Sequence, residues 1–203
     1  MSSHHIVRDD QEPALLIAAH PQSIEYLHQL LEWSPTVMVC QEFVEEAMLL
    51  GIKIDVVLCE IGQQEFYKMK VEHQLPVKFV TYNSLADPVS VGIKHLIDLS
   101  YPAVHILADV NDQLLDQLSQ FENINITTSD GFVRWLYCHK GVFKKWISKG
   151  AVLLQEKGNN FTMNSTGKTT EEDYSGFRKI EIHEEGMVEL RQEKPFWLGE
   201  YIY

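Results

Sequence analysis

Basic residues are scarce in this chain: 17 Lys and Arg stand against 29 Asp and Glu in 203 residues, a formal net charge of −12. The field of such a protein repels nucleic acid and anionic membrane surfaces, so neither is an expected partner. A phosphate ligand has to arrive with a cation or meet a local basic patch. Cysteine is also rare. Cys40, Cys59 and Cys138 are an odd number, form no CxxC pair and sit in apolar runs, which argues against a metal finger and for buried thiols in a reducing compartment. No apolar run approaches the length of a membrane span, and the first thirteen residues lack the basic-then-apolar order of a signal peptide. The expected location is the cytoplasm, where the N-x-T sequons at Asn125, Asn160 and Asn164 are chance matches.

Several motifs are missing as well. GxGxxG and GxSxG are absent, and the histidines, among them His20, His28, His73, His95, His105 and His139, show no HxxxH pair. Backbone amides therefore have no obvious close approach to a phosphate, and hydrolase chemistry is not indicated. Ser165-Thr166-Gly167-Lys168-Thr169 contains the Gly-Lys-Thr ending of a phosphate-binding loop. It fails as one, because Thr162 stands where that loop needs its first glycine and the segment falls between β-strands.

What is present is a balance of 45% hydrophobic and 23% charged residues, that of a globular protein with a real core. The chain is organised around Leu50 to Glu60. Gly51 can end a helix in the left-handed conformation, and the apolar run Val56 to Leu58 then forms a buried strand that stops at Glu60. The same alternation runs from Ala14 to Phe121. Strands are predicted at Ala14–Ala19, Thr36–Cys40, Asp55–Glu60, Val77–Thr81 and Ala103–Ala108. Helices are predicted between them and after the last, with an amphipathic one over Gln63–Val71 on Phe66 and Met69, and one capped by Asp87-Pro88. Such alternation implies parallel pairing: a doubly wound, Rossmann-like α/β domain over residues 1–128. Residues 129–203 are expected to form a small β-rich domain. Within it Phe132 to Trp146 is mixed, Asn164 to Ser175 reads as a mobile loop and Glu185-Gly186 as a hairpin turn.

Open α/β sheets bind ligands beyond the carboxyl ends of their strands. His20, Gln41, Glu42, Glu60, Asp87, Asp109 and Asp112 all follow predicted strands, and oxygen ligands around a cleft are what Mg²⁺ with a bound polyphosphate requires. A purely structural account stands beside this one. Asp87 is explained as a helix cap, Asp109 and Asp112 suit a helix start, and an acid at a strand end is an ordinary way back to solvent. The aromatics Phe196, Trp197, Tyr201 and Tyr203 serve either β-domain packing or the stacking of a flat heteroaromatic ligand or a partner chain.

The segments Glu46 to Glu60 and Asp87 to Gln120 resemble those of the thiamine pyrophosphokinase family, and the order and class of elements agree over the remainder. The first segment is similar to the family's helix, Leu-Gly-Ile-Lys-Pro-Asp turn and strand. The resemblance implies transfer of pyrophosphate from ATP to thiamine with Mg²⁺, a doubly wound domain followed by a β-sandwich, and a homodimer with its site between subunits. By the same resemblance Glu60 and Asp87 are the expected catalytic residues, and Asp109, Asp112 and Gln41 the nucleotide contacts. Glu60 and Asp109 are the expected metal ligands. The motifs themselves differ. Gln41-Glu42-Phe43 replaces Asp-Gly-Gly, and Cys59-Glu60-Ile61-Gly62-Gln63 keeps one carboxylate of Gly-Asp-x-Asp-Ser. The stretch from Ala108 to Asp116 lacks the glycines, the arginine and the Asp-His pair of the family's Gly-x-x-Gly-Gly-Arg-x-Asp-His. A non-enzymatic ligand-binding or regulatory protein on the same scaffold is the alternative.

Overall fold

The computed structural model describes residues 13–156, 161–174 and 176–202. The readings made above of residues 1–12, Asn160, Ser175 and Tyr203 lie outside the described residues. The chain divides into two compact units, Met1–Gly131 and Phe132–Tyr203.

The first unit alternates strands and helices. The strands are β1 (Ala14–Ile17), β2 (Val37–Cys40), β3 (Val56–Glu60), β4 (Lys78–Tyr82), β5 (Ala103–Leu107) and β6 (Asn125–Ser129). The helices are α1 (Ile24–Leu31), α2 (Val44–Leu49), α3 (Gln64–Lys70), α4 (Pro88–Asp98) and α5 (Asp112–Leu118). The strands lie in the order β6-β5-β1-β2-β3-β4, every neighbouring pair parallel. All four residues of β1 and of β2 are buried, as a strand covered on both faces requires. Helix starts are fixed locally: the side chains of Ser23, Asp87 and Asn111 accept from the amides of Tyr26, Ser90 and Leu114. Beyond α2, Gly51 adopts φ 70°, the left-handed conformation that glycine takes without strain.

Helix α4 covers the face that carries Leu16, Met38 and Leu58, and Gly92 sets its approach. A Cβ there would lie 2.6 Å from Leu16 Cδ1 and 2.9 Å from Met38 Sδ. The opposite face carries Leu15 and its ladder partner His105, with Tyr26 of α1 at 5.8 Å between ring centroids. His105 is buried in a polar strip, its ring nitrogens against Thr127 Oγ1 at 2.7 Å and Ser129 Oγ at 3.0 Å. Helix α3 departs from expectation. None of its residues is buried, and Phe66 and Met69 are 46% and 69% exposed. Helical spacing sets which residues share a face, and what packs on that face decides whether it is buried.

The second unit contains only strands among the described residues: β7 (Val133–Cys138), β8 (Val142–Ile147), β9 (Val152–Glu156), β10 (Phe161–Ser165), β11 (Thr169–Tyr174), β12 (Phe177–Ile182), β13 (Gly186–Gln192) and β14 (Phe196–Tyr201). One antiparallel sheet runs β11-β12-β9-β14-β7 and another β10-β13-β8. Phe143, Ile147, Val188 and Leu190 from the second meet Leu153, Ile180, Ile182, Phe196 and Leu198 from the first in one apolar core. The mixed stretch Phe132 to Trp146 is thus two strands, and much of the polar segment Asn164 to Ser175 is β11. Polar residues on an outer face suit a strand as well as a loop. Glu185-Gly186 closes no hairpin, since β12 and β13 belong to different sheets. Gly167 of the Gly-Lys-Thr stretch packs so closely on the Glu184 carbonyl that a Cβ has no room.

Gly92→Val is expected to lower stability by about 1–3 kcal/mol, through overpacking against Leu16 and Met38. Urea denaturation measures it; an unchanged midpoint would mean that α4 does not sit on this face.

Candidate functional site

Because the six strands of the first unit are parallel, their carboxyl ends leave at one edge. The chain runs outward from β1 through β2, β3 and β4, then returns to β5 on the other side of β1. The loops after β1 and β5 therefore part, which is where such a sheet offers a crevice. Residues Ala18 and Ala108 stand on its two sides, and the recess there is also lined by Val89, Asp109, Asn111 and Gln117.

Around this recess gather three of the expected residues. Asp87 Oδ2 accepts from the Ser90 amide at 2.6 Å and from Gln117 Nε2 at 2.6 Å, so it caps α4 and ties α5 to it. Gln117 Nε2 also reaches Ser90 Oγ at 3.0 Å. Asp109 and Asp112 are exposed on either side of Asn111, whose side chain caps α5 and lies 3.4 Å from the Asp109 carbonyl.

The other two residues form a separate corner at the ends of β2, β3 and β4. Gln41 Oε1 accepts from the Glu60 amide at 2.9 Å, and its Nε2 donates to Glu42 Oε1 at 3.1 Å. Both ends of the Gln41 amide are thus engaged, the oxygen in joining β2 to β3 and the nitrogen on its neighbour Glu42. Glu60 lies opposite Tyr82 in the β3–β4 ladder, so their side chains share a face at about 4.8 Å between strands. Tyr82 is only 6% exposed, and its hydroxyl has no hydrogen-bond partner among the described residues. Burial, and then the carboxylate of Glu42 with a smaller contribution from Glu60, pushes the Tyr82 phenol above its ordinary range. Burial likewise raises the Cys40 thiol, helped by Glu42 and Asp87.

His20 packs edge-on against Phe43 at 5.1 Å and bonds Glu46 through Nδ1, and Lys70 pairs with Glu45. The edge as a whole is acidic, and it suits an anion only when a cation accompanies it. Glu60 and Asp109 leave strands three ladder spacings apart, about 14 Å. Among the described residues no three His, Cys, Asp or Glu side chains gather to hold a metal. The residues present thus do not fit a metal held by the protein alone; single carboxylates such as Glu60 fit an ion brought by a phosphate chain.

Two residues of the edge were not found by sequence reasoning. Tyr82 lay one position beyond the predicted end of its strand, although Lys78, Val80 and Tyr82 alternate on one face. Gln117 sits on an exposed helix turn with no motif, and no signal in the sequence singles it out.

The sequence matches no protein-family model and no curated protein. Among solved structures the fold is similar to thiamin pyrophosphokinase from Candida albicans, with TM-score 0.68, 13% identity and coverage of 96% of this chain and 90% of that one. Thiamine pyrophosphokinase from Bacillus subtilis gives TM-score 0.66, 10% identity and coverage of 94% and 98%. The yeast enzyme gives 0.64, 9% identity and coverage of 98% and 88%. The chain therefore has a thiamine-pyrophosphokinase-like fold over nearly its whole length: a large, mostly parallel sheet with further antiparallel strands.

Cys40, Cys59 and Cys138 are buried and unpaired, and burial raises all three thiols, that of Cys138 to about 12. At pH 8 the folded protein should therefore react slowly with a disulfide reagent such as DTNB, with all three thiols released on denaturation. A thiol reacting in the folded state at the rate of free cysteine would contradict this arrangement.

Proposed function

We propose that this chain, whose fold is that of the thiamine pyrophosphokinases, is a thiamine-pyrophosphokinase-like protein. It binds a nucleotide polyphosphate with Mg²⁺ at the carboxyl edge of its parallel sheet and transfers pyrophosphate from ATP to thiamine. The observation that carries this reading is the convergence of Glu60, Asp87 and Asp109 on the edge where the strand order reverses, in a fold matched over 94–98% of the chain by pyrophosphokinases.

In this reading the nucleotide arrives with its cation, which the acidic edge attracts and a bare phosphate cannot replace. Glu60 offers one carboxylate to that ion, and Asp109 and Asp112 flank the recess between Ala18 and Ala108 from the other side. Asp87 acts through position, by holding the start of α4 and the α5 residue Gln117. Gln41 fixes Glu60 by accepting from its amide, and so serves the nucleotide indirectly. The working unit is a cytoplasmic homodimer.

A second reading, a non-enzymatic ligand-binding or regulatory protein, is favoured by a specific observation. The Gln41 amide is consumed in bonds within the edge, and side chains occupy positions where the resembling family has glycines, so fewer groups remain to meet charge developing in a transition state.

The two readings separate in one assay, thiamine diphosphate formed from thiamine and Mg²⁺·ATP by the purified protein and by its Glu60→Gln variant. The enzymatic reading expects turnover that falls by about a hundredfold or more in the variant. Absence of turnover at high protein concentration, with nucleotide binding retained, would establish the second.

A further inference from the structure

The opposite edge of the parallel sheet holds a larger recess than the carboxyl edge does. At the start of β2, β3 and β4 lies a cavity of about 660 Å³, within the range of about 300–1,000 Å³ typical of small-molecule sites. Leu31, Pro35 and Pro76 give its accessible apolar part, backed by the buried side chains of Ile52 and Val56. Thr36 Oγ1 and the Tyr101 hydroxyl, 2.8 Å apart, fix two of its loops to each other.

Its charge runs against that of the chain. Two lysines, Lys53 and Lys78, face one acid, Asp55, in a protein with 12 more acids than bases. Asp55 is doubly used, since one oxygen accepts from the Val37 amide at 2.9 Å and the other pairs with Lys53 at 3.0 Å. Lys78 is exposed and has no hydrogen-bond or ion-pair partner among the described residues. Its charge is nonetheless felt nearby: burial and then Lys78 hold the His95 imidazole below its ordinary value. The recess thus combines apolar side chains, two neutral hydroxyls and a lysine with no ion-pair partner among the described residues.

We propose that this recess is a second small-molecule site, taking a compact amphipathic anion whose apolar body lies against Leu31, Pro35 and Pro76 and whose carboxylate or phosphate meets Lys78. It lies a strand's length from the carboxyl edge, about 16 Å, and stands independently of the pyrophosphokinase reading.

The test is a titration of isotope-labelled protein with phenyl phosphate, followed by amide NMR, beside inorganic phosphate and phenol. Saturable shifts are expected at Thr36, Lys53, Lys78 and Tyr101, with phenyl phosphate binding more tightly than either fragment. Lys78→Gln, at an exposed position, should weaken it by about tenfold. Absence of saturable shifts at these amides would overturn the proposal. So would shifts that survive Lys78→Gln unchanged, which would mean that the lysine serves only the carbonyl ends of the neighbouring helices. Phenol binding as tightly as phenyl phosphate would remove the anion from the account, and inorganic phosphate doing so would remove the apolar wall.

Discussion

The parallel sheet imposes the constraint from which the rest of the first unit follows. Strands that are covered on both faces and all point one way deliver every carboxyl end to one edge and every amino end to the other. Apolar runs such as Ala14–Ile17 and Val37–Cys40 have no face left for water, so each must lie under a helix on either side. Gly92 lets α4 settle on Leu16, Met38 and Leu58, and the polar strip of His105, Thr127 and Ser129 satisfies its own hydrogen bonds beneath α1. The carboxyl edge is acidic because the residues that leave the strands there are Glu42, Glu60, Asp109 and Asp130. The amino edge collects Lys53 and Lys78 for the same topological reason.

Much of this was legible in the residues. Continuous apolar runs separated by helical spacing gave all five of the strands from β1 to β5, and Asp87-Pro88 and Gly51 marked helix ends through chemistry that does not depend on tertiary context. Tertiary context decided the failures. Phe66 and Met69 have helical spacing but stay exposed, and their period says nothing about what they face. The polar stretch from Thr169 to Tyr174 pairs with β12 through its backbone, a bond that leaves no mark in side-chain polarity.

The candidate site was legible in part, and the limit has the same cause. Strand ends locate Gln41, Glu60 and Asp109 along the edge, but only the strand order shows that Gln41 adjoins Glu60 while Asp109 lies beyond β1 and β2. A sequence can place acids on an edge without saying which of them meet. Here they fall into two corners, and in the one that holds Glu60 the buried Tyr82 takes a place no motif announced. An arrangement of separate carboxylates suits a cation that brings its own ligands.

The proposed function makes the carboxyl edge, where the strand order reverses, the ligand-binding edge of this protein. Amide NMR of the labelled protein titrated with Mg²⁺·ATP tests it most directly. Saturable shifts at Ala18 to His20, Gln41, Glu60 and Ala108 to Asn111, dependent on the presence of Mg²⁺, are the predicted result. Saturable shifts confined to other surfaces, or none at any Mg²⁺·ATP concentration, would contradict it.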